Sequence, residues 1–261
     1  MQAPRLSALG LALALGLAGP AAAQTLEVGA YPSNPPWEFK NEQSEFEGFE
    51  VDLVKEIAER MGREVNIQDL GFQALFAATS SGRIDMAIST ITVTEERLEN
   101  QAFTQPYYDS DLGLVTSQDD VSSLEDLEGR VVGAIASSTG EKWISENTEA
   151  YGFGEYRSYP TQQGLLLDVA NGRVAGAVGD ILGFEFAAEQ MPQLNVAQRI
   201  RTGEQFAIMM PKGSDLLEEV NAAITSIKED GTMAGFYREW LEAEPAEGSS
   251  TVTVLPIPGM E

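Results

Sequence analysis

The chain has 261 residues, with 41 acidic against 16 basic side chains and a formal net charge of −25. A surface this acidic excludes nucleic-acid binding, which needs Lys and Arg against phosphates. With neither cysteine nor histidine, the sequence also excludes disulfides, thiol nucleophiles, Cys/His zinc sites, Ser-His-Asp triads and a histidine base.

Met1–Arg5 carry one positive charge, Leu6–Ala18 form an uncharged Leu/Ala run, and Ala21-Ala22-Ala23 precede Gln24. That layout predicts a secretory signal peptide over 1–23, cleaved near Ala23-Gln24. The run is too short to span roughly 30 Å of hydrocarbon. From Leu26, residues 26–30 read as a buried strand, followed by a Pro-rich loop from Tyr31 to Pro36. Val51, Leu53, Val54, Ile57, Ala58 and Met61 form a helical stripe that Gly62 ends. A strand is expected over 64–69, a helix over 72–81 and a strand over 84–88. The polar cluster Ser89-Thr90-Ile91-Thr92 follows, then a short helix opening at Thr94 with Glu95 and Glu96 in its first turn.

The same order returns from Gly129. Residues 131–136 read as a strand, Ser138-x-x-Glu141 as a capping box opening a helix, 155–159 as a strand, 161–171 as a helix and 174–178 as a strand. Asp180 heads the next helix. The helix–strand junctions match as well, Ser81-Gly82-Arg83-Ile84 against Asn171-Gly172-Arg173-Val174. Two βαβ series predict an α/β fold of two lobes, each a mostly parallel sheet flanked by helices. Such sheets bind ligands outside the carboxyl ends of their strands, where both halves place their polar clusters. Lobe 1 is expected to comprise 24–111 and 206–241, and lobe 2 residues 112–205, joined by a two-strand hinge. Residues 242–261, acidic and without periodicity, are expected to form a flexible tail.

Gly48-Phe49-Glu50-Val51-Asp52-Leu53 resembles the signature of the family 3 extracellular solute-binding proteins, the polar amino-acid receptors of bacterial ABC importers. So do Pro36-Trp37-Glu38-Phe39, Ile91-Thr92-Val93-Thr94-Glu95-Glu96-Arg97, Pro211-Lys212-Gly213-Ser214-Asp215, Asp230-Gly231-Thr232 and Tyr237-x-x-Trp240. The resemblance implies a periplasmic-binding-protein-like fold that closes on an amino acid and delivers it to an inner-membrane permease. It implies a monomeric, periplasmic binding protein with no catalytic residue, cofactor or metal.

A zwitterion needs a cation and N–H groups for its carboxylate, and acceptors for its ammonium. By resemblance, Arg97 clamps the carboxylate with the help of Thr139 and Ser138, and Asp180 binds the ammonium. Read without the family, Asp180 is equally a helix cap and the hydroxyls are turn partners. Ser89, Thr90 and Thr92 match first-lobe positions that touch either end of the ligand. By resemblance Phe72 is expected to pack on it, and Asn34 and Trp37 to wall the side-chain pocket; read without the family, Phe72 and Trp37 are equally core residues. Tyr31 stands where basic-amino-acid receptors commonly carry an aspartate, which argues against lysine, arginine or ornithine. Two other readings stay open: a dehydratase-type enzyme using carboxylates, and a receptor for an opine or compatible solute.

Overall fold

A computed structural model describes residues 25–260; the expected signal peptide lies outside the described residues. β1 (Leu26–Ala30) is followed by a small antiparallel sheet of β2 (Ser33–Asn34), β3 (Glu38–Lys40) and β4 (Phe46–Glu47). Then come α1 (Phe49–Arg60), β5 (Val65–Asp69), α2 (Phe72–Ser80), β6 (Met86–Ile88), α3 (Glu95–Asn100) and β7 (Gln101–Phe103). β8 (Tyr108–Thr116) leads to β9 (Val131–Ile135), α4 (Thr139–Tyr151), β10 (Glu155–Tyr159), α5 (Gln162–Ala170), β11 (Gly176–Asp180) and α6 (Ile181–Gln190). β12 (Asn195–Phe206) returns to β13 (Met209–Pro211), α7 (Leu217–Glu229) and α8 (Thr232–Leu241).

Two five-stranded sheets result, ordered β5-β1-β6-β13-β7 in lobe 1 and β10-β9-β11-β8-β12 in lobe 2. Each has a parallel half and an antiparallel half, so the sheets are mixed rather than mostly parallel. The antiparallel members are the segments by which the chain leaves one lobe and comes back. Both faces of each sheet are covered, giving two apolar clusters per lobe.

The internal repeat extends to single hydrogen bonds. Gly82 and Gly172 adopt positive φ, 67° and 69°. Gly82 N–H donates to Thr79 and Arg83 N–H to Ala78, while Gly172 N–H donates to Val169 and Arg173 N–H to Asp168. The same left-handed turn therefore ends the second helix of each unit, because glycine reaches that conformation without a Cβ penalty.

Gly48 has a different task. At φ 128°, a Cβ there would lie 2.2 Å from the Trp37 carbonyl oxygen. The close approach lets the carbonyls of Pro36 and Trp37 accept from the N–H groups of Phe49 and Glu50, satisfying donors that a helix start leaves free. The loop carrying Asn34 to Glu38 is thereby fixed on α1. At the other end of the signature, Trp240 Nε1 donates to Asp52 at 2.7 Å, tying α8 to α1.

β8 and β12 pair antiparallel from Tyr108↔Phe206, in the lobe 1 core, to Asn195↔Thr116 in lobe 2. The pairing is irregular between Ile200 and Glu204. There the N–H groups of Thr202 and Gly203 turn onto Asp111 Oδ1 at 2.8 and 2.9 Å, and Arg199 meets the same carboxylate at 3.1 Å. A bulge of this kind re-aims the residues that follow it.

The expected flexible tail over 242–261 needs correction through residue 260. Ser250 and Thr251 are buried. Ser250 N–H donates to Asp109 at 2.7 Å and its hydroxyl also bonds that carboxylate, which Gln205 Nε2 reaches at 3.0 Å. Lys228 Nζ donates to Thr253 O at 2.9 Å, to Gln105 Oε1 at 2.9 Å and to Pro106 O at 2.6 Å. Burial acts to raise the Asp109 carboxyl, but the bonds from Ser250 and Gln205 and the nearby Lys228 prevail and hold it below the usual carboxylate range. The segment thus straps the lobe 1 ends of both crossing strands. Ser250→Ala is expected to cost about 1.5–3 kcal/mol, the worth of a hydrogen bond to a charged group. Chemical denaturation of the two proteins measures it, and equal midpoints would show the strap to be energetically idle.

Candidate functional site

Between the lobes lies a cleft of about 630 Å³ of free space, its mouth included. It opens at the carboxyl ends of β1, β6, β9 and β11, as an α/β sheet requires. Tyr31, Asn34, Phe72, Ser89, Thr90, Thr92 and Arg97 border it from lobe 1, and Ser138, Thr139 and Asp180 from lobe 2. Trp37 does not. It is fully buried, edge-on to Phe49, Tyr108 and Phe206. The large ring goes where apolar area is removed from water, and only its Nε1 reaches the site.

Arg97 stands in the first turn of α3, whose N-cap Thr94 accepts from the Arg97 N–H at 3.2 Å. Its Nη1 donates to Thr92 O at 2.8 Å and its Nη2 to Ser137 O at 3.0 Å, so the guanidinium already joins the lobes. The Phe76 ring lies beneath it, 4.9 Å from the guanidinium carbon. Burial pulls Arg97 down to about 10, with Glu204 and Glu96 opposing; it stays cationic at neutral pH.

Across the cleft, α4 begins. Ser138 Oγ accepts from Glu141 N–H at 3.1 Å. The expected capping box is shifted by one residue, because Glu141 reaches back to Ser137 N–H at 2.6 Å rather than to Ser138. The Thr139 and Gly140 N–H groups have no acceptor within the helix, and the helix dipole adds positive character at the cleft. Gly140 permits this placement, since a Cβ there would lie 2.3 Å from Val178 O.

Asp180 ends β11 and caps α6. Its Oδ2 accepts from Gly183 N–H at 2.9 Å and Trp37 Nε1 at 3.0 Å, and its Oδ1 from Ser110 Oγ at 2.8 Å. The carboxylate is thus held from both lobes while bordering the cleft. Burial raises its carboxyl above the ordinary range against those three bonds. Tyr31 is another contact between lobes, its hydroxyl accepting from Gln162 N–H at 3.1 Å.

Behind Ser89 and Thr90 stands a buried carboxyl pair. Glu38 takes the Ser89 hydroxyl and, at 3.3 Å, Asn34 Nδ2. Glu50 takes the Thr90 N–H at 2.8 Å and the Tyr107 hydroxyl. Both are fully buried. Burial, then the facing Glu50, pushes Glu38 well above the usual range. A proton held on Glu38 supplies the donor that Glu50 Oε2 otherwise lacks.

Sequence reasoning missed Glu204, Gln162, Ile135 and Phe184, which also border the cleft. Glu204 is 8% exposed and accepts from Thr92 Oγ1 at 3.0 Å. Phe206 bridges Thr92 through the backbone, and Glu204, two residues earlier, shares its face of the strand. The available signal was the stretch Gly203-Glu204-Gln205-Phe206, whose alternation begins only after the bulge. Among the described residues, no cluster of three or more carboxylates is arranged to hold a metal ion.

A carboxyl whose folded pKa is raised favours the fold below its unfolded pKa and weakens it as pH rises through the folded value. Glu38→Gln keeps an acceptor for Ser89 and a donor for Glu50 without the charge. It is expected to match the parent near pH 5 and to melt higher at pH 8, whereas Glu38→Ala loses about 1–3 kcal/mol at both. Thermal melts of the three proteins across that range decide it; a Gln variant destabilised most at pH 8 would contradict the shared proton.

The chain matches the bacterial extracellular solute-binding proteins, family 3, over residues 26–243. It is 29% identical over 228 residues to the ABC transporter arginine-binding protein 1 of Escherichia coli K12, covering 85% of this chain and 93% of that one. It is 27% identical over 253 residues to the histidine-binding periplasmic protein of the same organism, covering 90% and 96%. An ancestral arginine-binding protein bound to arginine superposes with a TM-score of 0.79 at 32% identity, covering 84% of this chain and 99% of that one.

Proposed function

The chain belongs to the bacterial extracellular solute-binding proteins, family 3, and on that basis we propose that it is the substrate-binding component of an amino-acid ABC importer. It binds without turnover: an amino acid enters the open cleft, the lobes close, and a membrane permease takes the ligand from the closed form. The observation that carries this reading is the polarity of the cleft. Arg97 and the first turn of α4 face it as donors; Asp180 and the Ser89–Thr90 loop face it as acceptors. An α-amino acid presents the complementary pair.

In this reading the carboxylate docks on Arg97 and on the N–H groups of Thr139 and Gly140, as an anion at a helix N-terminus does. The ammonium docks on Asp180 and the hydroxyls of Ser89 and Thr90. Asp180 therefore caps and binds at once. Phe72 and Tyr31 flank the side chain. The named relatives bind arginine and histidine, while Tyr31, standing where basic-amino-acid receptors commonly carry an aspartate, argues against a basic side chain; the screen below distinguishes the two. Ligand contacts made to both lobes exist only in the closed form, so binding shifts the population toward it. Export by the signal peptide over 1–23 to the periplasm, and action as a monomer beside an inner-membrane permease, complete the proposal. The periplasmic histidine-binding relative supports that location.

A thermal-shift and calorimetric screen of the twenty amino acids tests the reading; at least one is expected to raise the melting temperature and to bind near micromolar or better. Arg97→Ala is expected to weaken that ligand by about 2–5 kcal/mol, some 30-fold or more, as loss of one partner of a buried charge pair does. Binding of none of the twenty, or unchanged affinity in the variant, would refute the assignment.

A further inference from the structure

Glu204 has no part in the reading above, yet it sits at the carboxylate end of the cleft. Its Oε2 accepts from Thr92 Oγ1 at 3.0 Å, and the Thr139 hydroxyl lies beside the same carboxylate. One hydroxyl comes from each lobe. They flank the place where the ligand's carboxylate would dock on Arg97.

A threonine hydroxyl has one proton to give and lone pairs to offer. While Glu204 is ionised, Thr92 and Thr139 spend that proton on it and turn lone pairs toward the cleft. A ligand carboxylate arriving at Arg97 then meets acceptors and a nearby like charge. When Glu204 is neutral, it no longer commands both hydroxyls, and they can turn to the ligand. Resting on the amino-acid reading, we propose that Glu204 is a specificity-determining residue of the carboxylate end, and that capture of an amino acid's carboxylate brings one proton onto it.

The surroundings agree. Arg97 on α3 faces Glu204 as a cation, and Asp180 at the end of β11 as a like charge. On β8, Ser110 lies opposite Glu204, while Asp109 and Asp111 alternate to the other face and are held by Ser250 and Arg199. At the cleft mouth, Glu96 of α3 and Lys142 of α4 pair with each other at 2.8 Å. Burial is the largest influence on Glu204 and raises its carboxyl, the two hydroxyls and Arg97 opposing. A ligand carboxylate adds a further upward push. By linkage, affinity then falls as pH rises, by at most about one decade per unit.

The test is calorimetric titration of the exported chain with L-arginine and with L-glutamine at pH 6 and pH 8, each in two buffers of different ionisation enthalpy. The expected result is uptake of up to about one proton per ligand at pH 8, with weaker binding than at pH 6. In Glu204→Gln the uptake disappears, and affinity at pH 8 rises roughly tenfold or more. Binding without proton uptake in the parent, or uptake that persists in the variant, overturns the role of Glu204 while leaving the receptor intact. Failure of either ligand, and of the other amino acids, to bind overturns both. The parent measurement needs no variant. A carboxyl carbon NMR titration of ligand-free protein, with the resonance assigned by its loss in Glu204→Gln, adds an independent check: titration in the ordinary glutamate range overturns the proposal.

Discussion

Both lobes hang on the antiparallel pairing of β8 with β12. The two strands start together in the lobe 1 core, at Tyr108 and Phe206, and end together in the lobe 2 sheet. Several polar groups of the cleft are placed with respect to them. The Thr92 backbone bridges Phe206, which brings the Ser89–Arg97 segment against β12. Ser110, on β8, holds Asp180 from below. The bulge before Glu204 turns that side chain inward. A strand pair can bend without losing its ladder, so lobe motion and site geometry share one element.

The cleft gathers more carboxylates than cations: Asp180 and Glu204 border it, Glu38 and Glu50 lie behind it, and among the described residues that line it Arg97 is the one cation. Burying charge is costly unless each charge is hydrogen-bonded or neutralised, and the structure uses both remedies. Asp180 is held by three donors. The Glu38 carboxyl is pushed well above the usual range by burial and by Glu50. Arg97 is held by two carbonyls and an aromatic face. Groups already fixed in place need little reordering when a ligand arrives, and preorganisation of this kind reduces the cost of binding. Trp37, Arg97 and Tyr31 also carry hydrogen bonds from one lobe to the other.

The fold was legible because its signals are local. Period, caps and the two Asn/Ser-Gly-Arg turns lie within a few residues of the elements they define, and the repeat exposed the two lobes. Asp180 and the hydroxyl clusters were legible because they sit at strand ends, where the fold puts ligands, whereas Arg97, on α3, was legible only through the family motif. Trp37 stayed undecided between pocket wall and core because an indole is both apolar and a donor; the sequence shows neither which end faces the cleft nor that Gly48 draws its backbone onto α1. Glu204 was hidden by the bulge, which breaks the alternation of β12. Residues 242–260 look solvated by composition, and their partners, Asp109, Gln105 and Lys228, lie far away in the chain. Mixed rather than parallel sheets follow from the same long-range cause, the return path of β12 and β13.

The strap over the crossing strands also fixes where motion can be seen. Thr253 and Ser250 lie beside the pivot, anchored to one lobe, so a fluorophore attached there has almost no lever arm. The far end of α4, near Asn147, belongs to the opposite lobe and would move with it on closure. A dye pair split between those two places would convert closing into a change of distance, with the strap side as its stationary reference.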